Sequence, residues 1–154
     1  MKRRLALSLS LAGAMVLFFA GSISAGVIAN VAVPFEQVIE IPCAGESVLL
    51  TGFLHILVTE TADANGSLHT TTHFQPMGAV GTGLTTGDVY HATGITRDEA
   101  NGLEVPFETT FVNNFRIIGP GTGNNFLVHE VFHVTINANG VITVLADHLS
   151  VDCK

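Results

Sequence analysis

Hydrophobic and polar residues alternate with a period of two along most of this chain. The alternation is clearest in residues 47–61, 105–118, 126–136 and 141–151, which are rich in Val, Ile, Phe and Thr. No segment beyond residue 25 shows the 3.6-residue period of a helix, whereas alternation of this kind is typical of half-buried β-strands. With a first strand near residues 35–41, the pattern predicts seven or eight antiparallel strands.

A short pattern occurs three times: a histidine, eight intervening residues, and then Ala-Asn-Gly. The copies begin at His55, His91 and His129, at spacings of 36 and 38 residues, and end in Asn65-Gly66, Asn101-Gly102 and Asn139-Gly140. Asn-Gly between strand-like segments is the strongest short-range signal for a two-residue type I′ turn. The repeat therefore predicts three long β-hairpins.

Hairpin register assigns side chains to the two faces of the sheet. A two-residue turn at residues 139–140 pairs Ala138 with Val141 and places Phe132 opposite Asp147. Each hairpin then has one mostly apolar face, which we expect to point inward. This arrangement predicts an all-β, up-and-down meander of seven or eight strands that forms a closed or nearly closed barrel from three Ala-Asn-Gly hairpins.

Six polar residues fall on the predicted inner face. Because buried imidazoles and carboxylates are costly unless they are paired, such residues neighbour each other or line a wet cavity. They are the candidate ligand-binding residues: His69, His73, Tyr90, Asn113, Glu130 and Asp147. Acid–base chemistry by His73 with Glu130 or Asp147 is one interpretation. Structural hydrogen bonds, or positions at an open end of a barrel, are the other.

The N-terminus has the pattern of a signal peptide. A basic start at residues 2–4 precedes an uncharged apolar stretch at 5–20 and small residues at 21–25. We predict a signal peptide at residues 1–25, with cleavage possible as late as residue 29, and one domain at 26–154. The mature chain then has 3 basic and 13 acidic residues, a net charge of −10. Nucleic acids and anionic membranes are therefore not expected partners, and no signal indicates an oligomeric state.

The chain has two cysteines, Cys43 and Cys153. An even cysteine number in an exported protein predicts a disulfide, here one that ties the first strand to the last. A secreted or extracytoplasmic location follows from the same two features.

The sequence His129-Glu130-Val131-Phe132-His133 matches H-E-x-x-H, which binds zinc when both histidines share one face of a helix. On a strand, however, two residues four apart are about 13 Å from each other, too far to bind one ion. Glu130 would also point away from both histidines. We therefore reject a zinc metallopeptidase and predict no metal and no cofactor. A two-histidine surface site of His148 with His129 or His133 is a weaker alternative to solvated side chains.

The stretches "TGLTTGDVYHATG" and "ETTFVNNFRIIGPGTGNNFLVHEVFHVTINANG" resemble an uncharacterised family of small secreted bacterial β-rich proteins. In architecture alone, the predicted barrel is similar to lipocalin-type and allene-oxide-cyclase-type barrels. The resemblance implies a small exported barrel and assigns no activity to any residue.

Three functions fit these observations. The first is binding of a small, partly apolar ligand inside the barrel. The second is an enzyme of the cyclase or isomerase type that uses the inner polar residues, since such reactions need only an acid and a base. The third is a structural or interaction protein of the cell surface with a solid core.

Overall fold

A computed structural model describes residues 25–102 and 105–154, so residues 1–24 of the signal peptide predicted at 1–25 lie outside the described residues. The described chain folds into seven strands and contains no helix, so none that could cross a membrane. The strands are β1 (Ala25–Ile41), β2 (Glu46–Ala62), β3 (Leu68–Gly83), β4 (Val89–Asn101), β5 (Phe107–Ile118), β6 (Asn125–Ile136) and β7 (Ile142–Cys153).

All seven strands belong to one antiparallel sheet, in chain order from β1 to β7. The predicted all-β up-and-down meander is therefore confirmed, with seven strands. The sheet is not closed, because β1 and β7 form its edges and are not paired within the described residues. Direction alternates from strand to strand, so seven strands leave β1 and β7 running the same way. Antiparallel pairing therefore cannot continue around the sheet from β7 to β1.

The buried core lies at one end of the sheet, which we call the disulfide end. It contains Ile41, Val48, Leu50, Ala79, Tyr90, Ala92, Ile117 and Phe126. These side chains come from six of the seven strands and meet because the sheet curls over its own inner face. The other end, where the three Ala-Asn-Gly segments lie, is called the hairpin end.

The inner face is not covered along the two edges of the sheet. On β7, the inward Leu145 and Leu149 are 63% and 58% exposed. On β1, the inward Val31 is 47% exposed. The gap between the two unpaired edge strands, which we call the slit, is therefore bordered by exposed apolar side chains.

The first and third Ala-Asn-Gly turns are not the predicted two-residue type I′ turns. In each of these two turns only the glycine has a positive φ, +83° at Gly66 and +75° at Gly140, and the preceding asparagine does not. Asp63 instead pairs with Ser67 (N–H to carbonyl oxygen, 2.9 Å), so three residues form the loop. The Asp63 carboxylate accepts hydrogen bonds from the backbone N–H groups of Asn65 and Ser67. This capping by a short acidic side chain stabilises a type I turn with a glycine bulge.

The first turn has three residues instead of two, so the side chains at the start of β3 point to the face opposite to the predicted one. Val58 pairs with Thr72 and Ile56 with Phe74, so even-numbered residues of β3 up to Pro76 point inward. The predicted inward placement of His69 and His73 is wrong for this reason. A bulge near Gly78 restores the predicted register, and beyond it Ala79 is buried.

The other two hairpins have the predicted faces despite different turns. In the third, an irregularity next to Ile142 offsets the longer loop, and Phe132 lies opposite Asp147 as predicted. In the second, Asn101 pairs with Glu108, so six residues separate the last paired positions of β4 and β5 instead of two. The register differs from the predicted one by an even number of residues, and each side chain of β5 therefore keeps its predicted face.

A disulfide joins Cys43 and Cys153, as predicted, with 5.4 Å between their Cα atoms. Cys43 lies in the turn after β1 and Cys153 ends β7, so the bond holds the two edges together at the disulfide end. Backbone hydrogen bonds between Asn125 and Lys154 in both directions fix the end of β7 beside β6.

We expect removal of this bond to destabilise the protein strongly. The bond closes a loop of 110 residues, for which chain entropy gives about 4 to 5 kcal/mol of stability as an upper value. The double variant Cys43→Ala/Cys153→Ala should lose several kcal/mol in urea unfolding, and wild type in excess reductant should lose a similar amount. An unchanged unfolding midpoint in both would show that the bond does not hold the sheet together.

Candidate functional site

A cavity of about 320 Å³ lies inside the curled sheet, next to the core. Its volume falls at the lower end of the range for small-molecule sites. Most of its wall is apolar, and Gln37 and Thr96 supply the polar side chains. The full lining is Phe35, Gln37, Ile39, Leu50, Leu54, Phe74, Pro76, Thr96, Phe111 and Phe115.

The core beneath this cavity contains one buried carboxylate, that of Glu46, which is 7% exposed. Its Oε1 accepts hydrogen bonds from the Tyr90 hydroxyl at 2.7 Å and the Thr86 hydroxyl at 2.9 Å. Its Oε2 accepts from the backbone N–H groups of Thr85 and Thr86. Four donors to one carboxylate offset the cost of removing the charge from water.

These hydrogen bonds alter the acidity of both partners. The hydrogen bond from the Tyr90 hydroxyl lowers the pKa of Glu46 below its ordinary value of 4.5, because its effect outweighs the increase caused by burial. Burial in the core and the neighbouring Glu46 carboxylate raise the pKa of Tyr90 to about 12. The pair therefore stays in one protonation state, charged Glu46 and neutral Tyr90, across the physiological range. Its stable charge state and dense packing indicate a structural role.

Two glycines leave room for this pair. A Cβ on Gly83 would lie 2.5 Å from Glu46 Oε2, and one on Gly119 would collide with the Tyr90 ring. Tyr90 was predicted to point inward, and it is a core residue. Glu46 is absent from the predicted inner-face residues, because the strand-like pattern begins one residue later, at residue 47. Its position two residues before Val48, on the same face, was the available signal.

A polar band crosses the inner face on the hairpin side of the cavity. Asn113 lies opposite Glu130 on the neighbouring strand, and Asp147 faces Phe132, so these three predicted residues share the inner face. The Thr96 hydroxyl donates to Asn113 Oδ1 at 2.9 Å, and the Thr109 hydroxyl donates to Asp98 Oδ1 at 2.8 Å. The band therefore adjoins the cavity directly through Thr96.

His69 and His73 are not part of this band. His69 Nδ1 lies 2.7 Å from Asn101 Oδ1 on the outer face, and His73 lies opposite Arg97. The predicted pairing of His73 with Glu130 or Asp147 is therefore not formed, and the inner band has carboxylates without an imidazole beside them.

His69 lies instead in an open cleft of about 270 Å³ at the hairpin end, with Asp63 and Glu108 among its lining residues. Its Nε2 is 3.9 Å from the Asp63 carboxylate. Backbone N–H groups of Ser67 and Asn65 hold the pKa of Asp63 below its usual value. All of these groups are at the surface, so the cleft is shallow compared with the interior cavity.

The H-E-x-x-H sequence lies on strand β6, as predicted. His129 Nδ1 is 2.6 Å from Asn114 Oδ1, and His133 Nδ1 is 2.9 Å from the Thr110 hydroxyl. Each histidine thus bonds to the neighbouring strand on the outer face, while Glu130 is on the inner face. Within residues 25–102 and 105–154, no three His, Cys, Asp or Glu side chains are grouped so that they could hold a metal ion.

No family model, curated protein or solved structure matches this chain. The resemblance to a family of small secreted bacterial proteins therefore remains a prediction.

The Glu46–Tyr90 pair makes a prediction about acid stability. The lowered pKa of Glu46 means that the carboxylate stabilises the fold above its ordinary value of 4.5, and that this stability is lost as the pH falls through the folded-state pKa. Glu46→Gln should lower the melting temperature at pH 7, and the difference from wild type should shrink as the pH falls below about 4.5.

The control is Glu36→Gln on the exposed outer side of β1, which should leave the melting temperature nearly unchanged throughout. A difference between Glu46→Gln and wild type that stays constant from pH 7 to pH 3 would contradict the assignment of a buried, charged Glu46.

Proposed function

We propose that this protein binds a small, partly apolar ligand in the cavity of its curled sheet. The observation that carries the proposal is the cavity itself, because its wall combines apolar side chains with two polar ones, Gln37 and Thr96, which is the usual composition of a ligand site. A solidly packed structural protein would be expected to fill this space with side chains.

The proposal includes export from the cytoplasm and a nearly closed barrel. The disulfide between Cys43 and Cys153 supports export, because such bonds persist in oxidising compartments. The same bond supports the barrel, since it holds the two edge strands together at one end. The slit between β1 and β7 and the open hairpin end then give a ligand two routes to the cavity.

The separation of His73 from Glu130 and Asp147 favours a binding protein over an enzyme. The cyclase or isomerase alternative relied on a base and an acid that face each other across the interior. The inner band instead offers carboxylates and the Asn113 amide, groups that can orient a ligand by hydrogen bonds.

A neutral apolar dye tests the proposal directly. N-phenyl-1-naphthylamine should bind with increased fluorescence and a stoichiometry of one. Leu54→Trp places an indole ring in the cavity, where it takes up space that the dye would fill. It should weaken dye binding at least about tenfold, the effect of losing about 1.4 kcal/mol of binding energy. Leu57→Trp, three residues along the same strand but on the outer face, is the matched control.

Thermal melts should show that both variants are folded before their affinities are compared. Equal dye affinity in wild type and in folded Leu54→Trp would place the dye elsewhere. Absence of saturable dye binding to the wild type would argue against an interior site for apolar ligands.

A further inference from the structure

The charged residues are divided unequally between the two faces of the sheet. Arg97 and Arg116 lie on the outer face, because their neighbours Thr96 and Ile117 line the cavity and the core. Lys154 lies beyond the end of β7. In the described part of the chain, therefore, no strand carries a basic side chain on its inner face.

Carboxylates, in contrast, occur on the inner face of four strands. Glu130 lies opposite Asn113, Asp98 opposite Phe111, and Asp147 opposite Phe132. Glu60 on β2 has the same parity as Leu54, which lines the cavity. None of these carboxylates lies directly opposite another, because each faces an uncharged residue of the neighbouring strand. They are spread over the inner face on the hairpin side of the cavity, beside and beyond its apolar wall, and we call them the carboxylate band.

The cavity wall is independently suited to a cation. Four of its ten lining residues are phenylalanines, Phe35, Phe74, Phe111 and Phe115. The faces of aromatic rings carry partial negative charge and attract ammonium groups, most strongly where water is excluded. Phe111 links the two features, since its ring lines the cavity and its strand partner across the inner face is Asp98.

We propose that the ligand is an organic cation with an apolar body, a protonated amine or a quaternary ammonium group. This inference rests on the proposed function, because it assigns a chemical class to the ligand of the same cavity. The cationic group lies where the Phe111 ring meets the carboxylate band, and the apolar body packs against the rest of the cavity wall. The same arrangement excludes fatty acids and other apolar carboxylates, which would bring a negative charge beside Glu130 and Asp98 with no cation to receive it.

Three probes of equal chain length test the charge preference: octylammonium, octanol and octanoate, each used to displace the bound neutral dye. We expect octylammonium to bind at least about tenfold more tightly than octanol, and octanoate to bind more weakly than octanol. Octyltrimethylammonium should bind as tightly as octylammonium or more tightly, since aromatic walls favour quaternary ammonium groups.

Two double variants show whether the inner carboxylates cause the preference. Glu130→Gln/Asp147→Asn should reduce the affinity for octylammonium about tenfold and leave that for octanol nearly unchanged. Glu36→Gln/Asp152→Asn removes the same charge from the outer face and should change neither affinity appreciably. An equal loss in both double variants would mean that net charge alone attracts the cation, and would overturn the proposal.

The outcomes separate this inference from the proposed function. If octanol and octylammonium displace the dye equally well, the cavity binds apolar ligands and the assignment to cations is wrong. If neither the dye nor any of the probes binds at a saturable site, the proposed function itself fails.

Discussion

The bond between Cys43 and Cys153 holds together the two edges of the sheet at the end where the core lies. A single antiparallel sheet can bury one face only by curling over it, and curling brings the first strand near the last. With seven strands the edges run in the same direction, so they cannot complete an antiparallel ladder. A covalent bond at one end therefore replaces the missing strand pairing, and the rest of the sheet is left open as a slit.

The position of the disulfide explains why the interior is divided into a packed core and a cavity. Near the disulfide, side chains from the two halves of the sheet meet and form the core around Leu50 and Tyr90. Farther from the disulfide lies the cavity, and beyond the cavity, toward the hairpin end, lies the polar band. The buried Glu46 stabilises the core end of the sheet. Three of its four hydrogen bonds come from Thr85 and Thr86, so the turn that contains them must lie over the end of the sheet.

Most of the fold could be predicted from hydrophobic alternation and turn residues, whereas the faces depended on turn details. The faces of β4, β5 and β6 were predicted correctly, including the positions of Asn113 and Glu130. The first turn was off by one residue, and that was enough to move His69 and His73 outside. A local signal was present: Asp63 and Asn137 precede the two Ala-Asn-Gly segments that form capped three-residue loops, while Glu99 precedes the one that does not. Glutamate has one methylene more and does not cap such a turn in the same way.

Nuclear magnetic resonance of ring-labelled phenylalanine would show whether the ligand lies among the inner phenylalanines. Saturation with the neutral dye should shift the ring signals of Phe35, Phe74, Phe111 and Phe115, which line the cavity. Phe53, which is 52% exposed on the outer face of β2, should not shift. Shifts at Phe53 with unchanged signals from the four inner rings would contradict the account, because the dye would then bind outside the curled sheet.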